Sequence, residues 1–292
     1  MEWHIGNFYV FCMLFLVYIL IYNSGEVDRS FLERGESMAR TIVIANQKGG
    51  VGKTTTAHCM VTGLSYLKHK VLAVDIDPQV SLSYVMGADL SKPGTYELLR
   101  DEVLAPRAVQ NIEQGSIISG SSMLSRAGME LTGRGGSERL AEALKPFKTV
   151  YDYIIIDTPP TLGVLLVSAL VAADDVIIPI TADGLALQGL GQLNNTIKIV
   201  RQKSNPSLSI AGILLCRFSE KTVLARDLKQ SITNRAEQMD TTLFNTTIRD
   251  GVVLRESQTK KANPYKALVK SKPASDYLDF ITEYLEMGKG HA

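Results

Sequence analysis

The stretch Lys48-Gly49-Gly50-Val51-Gly52-Lys53-Thr54-Thr55 decides how the chain is read. It follows a β-branched apolar run, Thr41 to Ala45, and opens a helical pattern, Thr54 to Lys68, so it forms the loop between a strand and a helix. Glycines let backbone N–H groups turn inward around a phosphate, and the helix N-terminus adds the positive end of its dipole. Lys53 supplies a cation for the phosphates, and the Thr54 hydroxyl is a ligand type suited to Mg²⁺. Together these features predict a nucleoside triphosphate site made by Lys48, Gly49, Gly50, Val51, Gly52, Lys53, Thr54 and Thr55.

Two acidic motifs follow at strand ends, where a parallel sheet delivers its chemical groups. Val74-Asp75-Ile76-Asp77-Pro78-Gln79 places two carboxylates after the run Val71 to Val74. Ile154-Ile155-Ile156-Asp157-Thr158-Pro159-Pro160 is an apolar strand ending in an acid, the form of a Walker B strand, in which Asp157 holds Mg²⁺ through a water. For Asp77 a plain alternative is the N-cap of the next helix, and for Lys48 it is a solvated loop lysine.

The loop departs from the ordinary G-x-x-x-x-G-K-[ST] pattern, because position 47 is Gln47 and an additional lysine stands at Lys48. In this respect KGGVGKTTT resembles the deviant Walker A box of the ParA/MinD superfamily. DPQ and DTPP resemble the partition-type ParA/Soj forms. The resemblance covers almost the whole chain from Met38. It implies an ATPase with ATP and Mg²⁺ as cofactors, in which Lys48 reaches the nucleotide of a second subunit and Lys53 serves the phosphates. It further implies that Asp77 orients the attacking water and that Asp75 lies near the metal. The partners it implies are a second copy on ATP, a ParB-like activator protein and nonspecific DNA, with segregation of chromosome or plasmid DNA as the outcome. MinD-like relatives end in a basic amphipathic membrane helix, whereas Ser275 to Ala292 carries Asp276, Asp279, Glu283 and Glu286 against Lys289. Its Tyr277, Phe280, Ile281, Tyr284 and Leu285 recur at helical spacing, which predicts a helix docked on the core. The nitrogenase iron protein shares the loop but uses cluster-binding cysteines that this chain does not have. Where relatives carry Pro-Arg-Asn at the adenine pocket, this chain reads Ile248-Arg249-Asp250-Gly251-Val252.

Outward from the loop, short apolar runs alternate with longer helical stretches, which predicts an α/β P-loop NTPase fold: a mainly parallel twisted sheet with helices on both faces. The strands expected are Thr41 to Ala45, Val71 to Val74, Tyr153 to Ile156, Val176 to Ile180 and Ile210 to Leu215. The helices expected are Thr54 to Lys68, Leu162 to Ala172, Leu185 to Lys203, Val223 to Gln238 and Ala274 to Met287. Gly115 to Gly136, rich in Gly and Ser, is expected to be loop or broken helix. Residues 38–292 are expected to be one ATPase domain.

Residues 1–37 form an apolar extension. Phe8 to Tyr22 is an unbroken apolar run, shorter than the ~20 residues that span a bilayer. Three readings stand: an upstream start with Met38 as the true one, a membrane anchor, or an N-terminal partner helix. Membrane attachment enters only through this segment; otherwise the protein is expected in the cytoplasm, associated with the nucleoid.

Of 292 residues, 45% are apolar and 21% charged, with 31 Lys+Arg against 30 Asp+Glu. A net charge of +1 excludes a globally basic nucleic-acid binder. Cys12, Cys59 and Cys216 are too scattered for a disulfide framework or a CxxC site and read as reduced thiols. His4, His58, His69 and His291 show no metal-ligand spacing. The segment Arg249 to Pro273 is locally basic, through Arg249, Arg255, Lys260, Lys261, Lys266, Lys270 and Lys272 against Asp250 and Glu256. Such a cluster suits sequence-independent contact with DNA phosphates, with a solvated surface as the plain alternative. Two further functions stay open: a ParA-like positioning ATPase for another cargo, and a membrane-tethered nucleotide-binding scaffold.

Overall fold

The computed structural model describes residues 38–130, 135–184, 186–267 and 271–289. Phe8 to Tyr22 and Lys270 therefore lie outside the described residues. β-Branched runs build the centre of the sheet: β1 (Arg40–Ile44), β2 (Val71–Asp75), β5 (Tyr153–Asp157), β6 (Asp175–Ile180) and β7 (Ser209–Leu215). All five strands expected from the sequence are present, each within a residue of its expected start.

Two strands were not expected. β3 (Val109–Ile112) and β4 (Gly115–Ile118) pair antiparallel to each other, and β4 runs parallel to β2. Gly115 to Ile118 is thus strand rather than loop, a correction to the reading of the Gly/Ser-rich stretch. Gly115 has φ +135°, a conformation that glycine adopts without strain, and this lets the chain reverse directly into β4. The sheet order is β3-β4-β2-β5-β1-β6-β7.

Successive side chains point to opposite faces, and both faces are covered, so the strands read as continuous apolar runs. Val43, Leu72, Val74, Ile154, Ile156 and Val176 belong to one core. Ile42, Ile44, Ala73, Ile155 and Ile177 belong to the other. The helices that cover the sheet, in chain order, are α1 (Lys53–Tyr66), α2 (Ser81–Met86), α3 (Thr95–Leu99), α4 (Ala105–Ala108), α5 (Leu124–Glu130) and α6 (Arg139–Leu144). After β5 come α7 (Val164–Ala172), α8 (Ala186–Lys203), α9 (Val223–Glu237), α10 (Val252–Thr259), α11 (Pro264–Ala267) and α12 (Lys272–Lys289).

The acidic C-terminal helix docks as its spacing predicted. Tyr277, Phe280, Ile281 and Tyr284 of α12 are buried in the same core as α1. Among the described residues no helix is long and apolar enough to cross a membrane.

Candidate functional site

β1 lies between β5 and β6; the chain runs from β1 to β2 on the β5 side and crosses from β5 to β6 on the other, and parallel strands here deliver their carboxyl ends to one edge. That arrangement opens a crevice at the end of β1, the place where open α/β sheets bind ligands. The phosphate loop leaves β1 at this point. Gly50 and Gly52 have φ +72° and +101°, and Gly52 is the N-cap of α1. A side chain at either position would strain the turn that aims the loop amides inward.

The two lysines of the loop are placed differently. Lys53 is buried, and its Nζ donates to the Lys48 carbonyl at 3.1 Å. Burial lowers the Lys53 pKa, and the carboxylates of Asp157 and Asp77 pull it back up. Lys48 is partly exposed, and its Nζ pairs with Asp183 Oδ2, which also accepts a bond from Thr181 Oγ1 at 2.7 Å. The Lys48 amide donates to Asn46 Oδ1 at 2.9 Å, and Asn46 in turn is fastened to the Pro179 carbonyl at 2.7 Å.

Asp75 and Asp157 are paired in register across β2 and β5. Both side chains are fully buried. The Asp75 carboxylate is occupied: Ser83 donates from N at 2.8 Å and from Oγ at 2.7 Å, and the Asp77 amide donates at 3.1 Å. Burial raises its pKa to about 6 against the pull of these bonds. Among the described residues neither oxygen of Asp157 has a hydrogen-bond partner. Its pKa is raised well above the usual carboxylate range by burial and then by the charge of Asp75, with Thr54 and Lys53 acting in the opposite direction. A buried carboxylate left without donors is costly unless a cation or ligand satisfies it. With Lys53 and the Thr54 hydroxyl beside it, Asp157 fits a divalent cation that carries nucleotide phosphates. Among the described residues no group of three or more His, Cys, Asp or Glu side chains is arranged to hold a metal without such a ligand.

Asp77 is buried and accepts a bond from the Gln79 amide at 2.9 Å. It does not cap the following helix. The N-cap of α2 is Val80, in a left-handed conformation with φ +51°, so the plain alternative for Asp77 fails.

Beside the loop lies a cavity of about 130 Å³, lined by Gly50, Gly52, Thr55, Arg217, Gln258 and the segment from Ile248 to Gly251. The unusual Ile248-Arg249-Asp250-Gly251 run therefore does border the nucleotide crevice. Arg217 and Gln258 were not anticipated, because neither belongs to a local motif; tertiary packing brings them here. Gln258 Nε2 donates to Thr55 Oγ1 at 3.0 Å.

The basic segment is less uniform than its sequence suggests. The Arg249 guanidinium is bound to Asp276, which also accepts its amide at 2.9 Å. Arg255 faces Asp250 at 3.9 Å and lines the cavity. Lys261 Nζ sits 4.6 Å from the centre of the Tyr84 ring, and Lys266 reaches Glu113 at 3.4 Å. Lys260 and Lys272 are exposed. Of the remaining groups, Cys59 and Cys216 are buried free thiols, and His58 is buried against Gln114 at 2.7 Å.

Comparison with known proteins agrees with this geometry. The AAA domain family matches residues 39–210. The chain is 34% identical over 259 residues to the sporulation initiation inhibitor protein Soj of Bacillus subtilis (strain 168), covering 86% of this chain and 100% of that protein. It is 41% identical over 209 residues to the chromosome partitioning protein ParA of Myxococcus xanthus (strain DK1622), covering 68% of this chain and 73% of the relative. Among solved structures, cobyrinic acid a,c-diamide synthase of Mycobacterium smegmatis with a bound ATP analogue and magnesium superposes with a TM-score of 0.76 at 31% identity, over 87% of this chain and 97% of that one. With a deviant phosphate loop at the carboxyl edge of its sheet and relatives matching along most of its length, the chain belongs to the ParA/Soj family of partition ATPases.

Proposed function

We propose that residues 38–292 form an ATPase domain that binds Mg²⁺·ATP, dimerises around it, and in that state holds DNA without sequence preference until a ParB-like partner stimulates hydrolysis. The observation that carries this reading is the unequal placement of the two loop lysines. Lys53 is buried beside Asp157 and Asp77, where it can serve only the nucleotide of its own subunit. Lys48 stands at the rim, where a second subunit's nucleotide can compete for it.

In this mechanism Lys53 and the loop amides would hold the phosphates, while Thr54 and Asp157 would hold Mg²⁺, which when bound would supply neutralisation of the phosphate charge. Asp77 is fixed by Gln79 at the end of β2 and accepts a hydrogen bond from the attacking water, which leaves most of the rate to positioning and charge. Asp75, occupied by Ser83 and the Asp77 amide, positions Asp77 instead of ligating the ion.

DNA contact is assigned to Lys260, Lys261, Lys266 and Lys272, with Arg255 at the border of the nucleotide cavity. A dimer doubles the number of phosphate contacts, so ATP should convert weak DNA binding into tight binding. Filter binding at several salt concentrations, with ATP or ADP, tests this. Lys260→Ala/Lys261→Ala should weaken binding to all sequences alike and reduce the salt slope, at ~0.9 per lost duplex contact, by roughly 1.8 per subunit and roughly 3.6 for the dimer. Equal affinity with the two nucleotides would count against the reading.

A further inference from the structure

Val80 opens α2 in the left-handed region, with φ +51° and ψ +31°. Among the described residues six non-glycine residues have a positive φ, and of these Val80 alone is β-branched. Branching at Cβ makes this backbone more costly for valine than for the lysines, aspartates and arginine at the other five positions. Packing does not offset the strain. The side chain is half-buried, and among the described residues it is not one of the apolar groups packed against either core.

Val80 is held in this state because the segment around it closes on one carboxylate. The Asp77 amide donates to Asp75 Oδ1 at 3.1 Å, and Ser83, eight positions beyond Asp75, returns to Oδ2 from its amide and its hydroxyl. The Ser83 hydroxyl oxygen is held in turn by the Gly120 amide at 2.8 Å. Between these anchors the Gln79 amide donates to Asp77 Oδ1 and the Val80 amide to the Asp77 carbonyl, each at 2.9 Å. Tyr84 N then donates to the Val80 carbonyl at 2.9 Å and starts the helix. A chain fixed at both ends must reverse between them, and the reversal falls on Val80.

Relaxing Val80 to a negative φ would pull the Gln79 and Val80 amides off Asp77 or Ser83 off Asp75. The segment therefore has two arrangements, and the strained one keeps Asp77 turned into the site, where its charge acts on Lys53 and Asp157. We propose that Val80 is a positioning residue for hydrolysis, whose strained backbone lowers the share of molecules in which Asp77 is placed for the attacking water. Strain of this kind depends on how well a residue tolerates a left-handed φ, and not on the polarity of its side chain. The proposal rests on the role given to Asp77 above and adds the residue that limits it.

The test is phosphate release by the full chain with Mg²⁺·ATP, beside a nucleotide titration. Val80→Gly and Val80→Asn both accept a left-handed backbone and should raise kcat about three- to tenfold, with nucleotide affinity within about twofold of the parent. Val80→Ile, still β-branched, should match the parent. Val80→Pro, with φ fixed near about −65°, should lower kcat about 100-fold or more. Thermal melting confirms that each variant is folded, and if the proline variant is not, the glycine and asparagine variants decide. Asp77→Asn/Val80→Gly should fall to the turnover of Asp77→Asn alone, because the gain acts through Asp77. Unchanged kcat in both the glycine and asparagine variants, an equal gain with isoleucine, or a gain that survives in the double variant would overturn the proposal. Undiminished turnover in Asp77→Asn alone would remove the water-positioning role and this proposal with it, whereas a silent Val80 beside an inactive Asp77→Asn would remove only the role of Val80.

Discussion

Asp77 and Asp75 show how little separates a chemical residue from a supporting one. They are two positions apart on the same turn, yet Asp75 is saturated by Ser83 and the Asp77 amide, while among the described residues the Asp77 side chain accepts only the Gln79 amide. If Asp77 holds the attacking water, Asp77→Asn should keep ATP affinity within about threefold and lower turnover about 100-fold or more. A phosphate-release assay beside a nucleotide titration checks both halves. Turnover within twofold of the parent would reduce Asp77 to a turn-forming residue. Ser83→Ala makes a graded companion. It removes one of the two bonds Ser83 makes to Asp75, and expected losses in turnover are smaller than for Asp77→Asn, since the Ser83 amide bond remains.

α1 is the element through which the site and the C-terminal third are joined. Its first turn is the end of the phosphate loop, and its buried flank makes a series of polar contacts. Thr56 Oγ1 meets Tyr277 OH at 3.0 Å, and the Cys59 carbonyl accepts from Tyr265 OH at 3.2 Å. His58 Nε2 meets Gln114 Oε1, and Gln114 Nε2 donates to the carbonyls of Val85 and Lys261, each at 2.9 Å. The relay fastens the middle of the basic segment, at Lys261, to the nucleotide helix. Burial lowers the His58 pKa, with the Gln114 bond opposing it. An unfolded histidine titrates near 6.5, so below that pH the unfolded chain takes up a proton that the folded chain refuses. Stability should therefore be unaffected by His58 above about pH 6.5 and should fall as the pH drops below it, by up to ~1.4 kcal/mol per pH unit until the folded pKa is reached. Urea unfolding at pH 7.5 and 5.5 checks the sign. His58→Gln, which cannot titrate, should lose less stability over that interval than the parent; an equal loss would place the pH dependence elsewhere.

At the scale of the whole molecule, the Lys48–Asp183 pair is a contact within one chain that a dimer would have to replace. Lys48→Ala should remain monomeric at ATP concentrations that dimerise the parent, as measured by light scattering. Asp183→Asn should dimerise at about two- to fivefold less ATP, because an exposed ion pair is worth only ~0.2–1 kcal/mol. A Lys48→Ala chain that dimerises normally would refute the role given to the rim lysine. The same scale explains how α12 is secured: Tyr284 OH donates to Asp175 Oδ2 at 2.6 Å, and Arg40 Nη2 reaches Asp175 Oδ1 at 3.0 Å, so one buried carboxylate ties β1, β6 and the last helix together.

The phosphate loop, both acidic strand ends, the five parallel strands and the docking of α12 were all legible in the sequence. Each depends on a local pattern: glycine conformation, β-branched runs, or apolar residues at helical spacing. β3 and β4 were not, because Val109 to Ile118 is short and interrupted by Gln110, Asn111, Glu113 and Gln114, and only the adjacent β2 makes it a sheet edge. Nor could adjacency in sequence show that Arg249 turns inward to Asp276 while Lys260 faces solvent. The positions of Arg217 and Gln258 were likewise set by tertiary structure alone. Both come from segments more than 150 residues beyond the loop, and the sheet order that brings them to its rim is written in no single stretch of the chain.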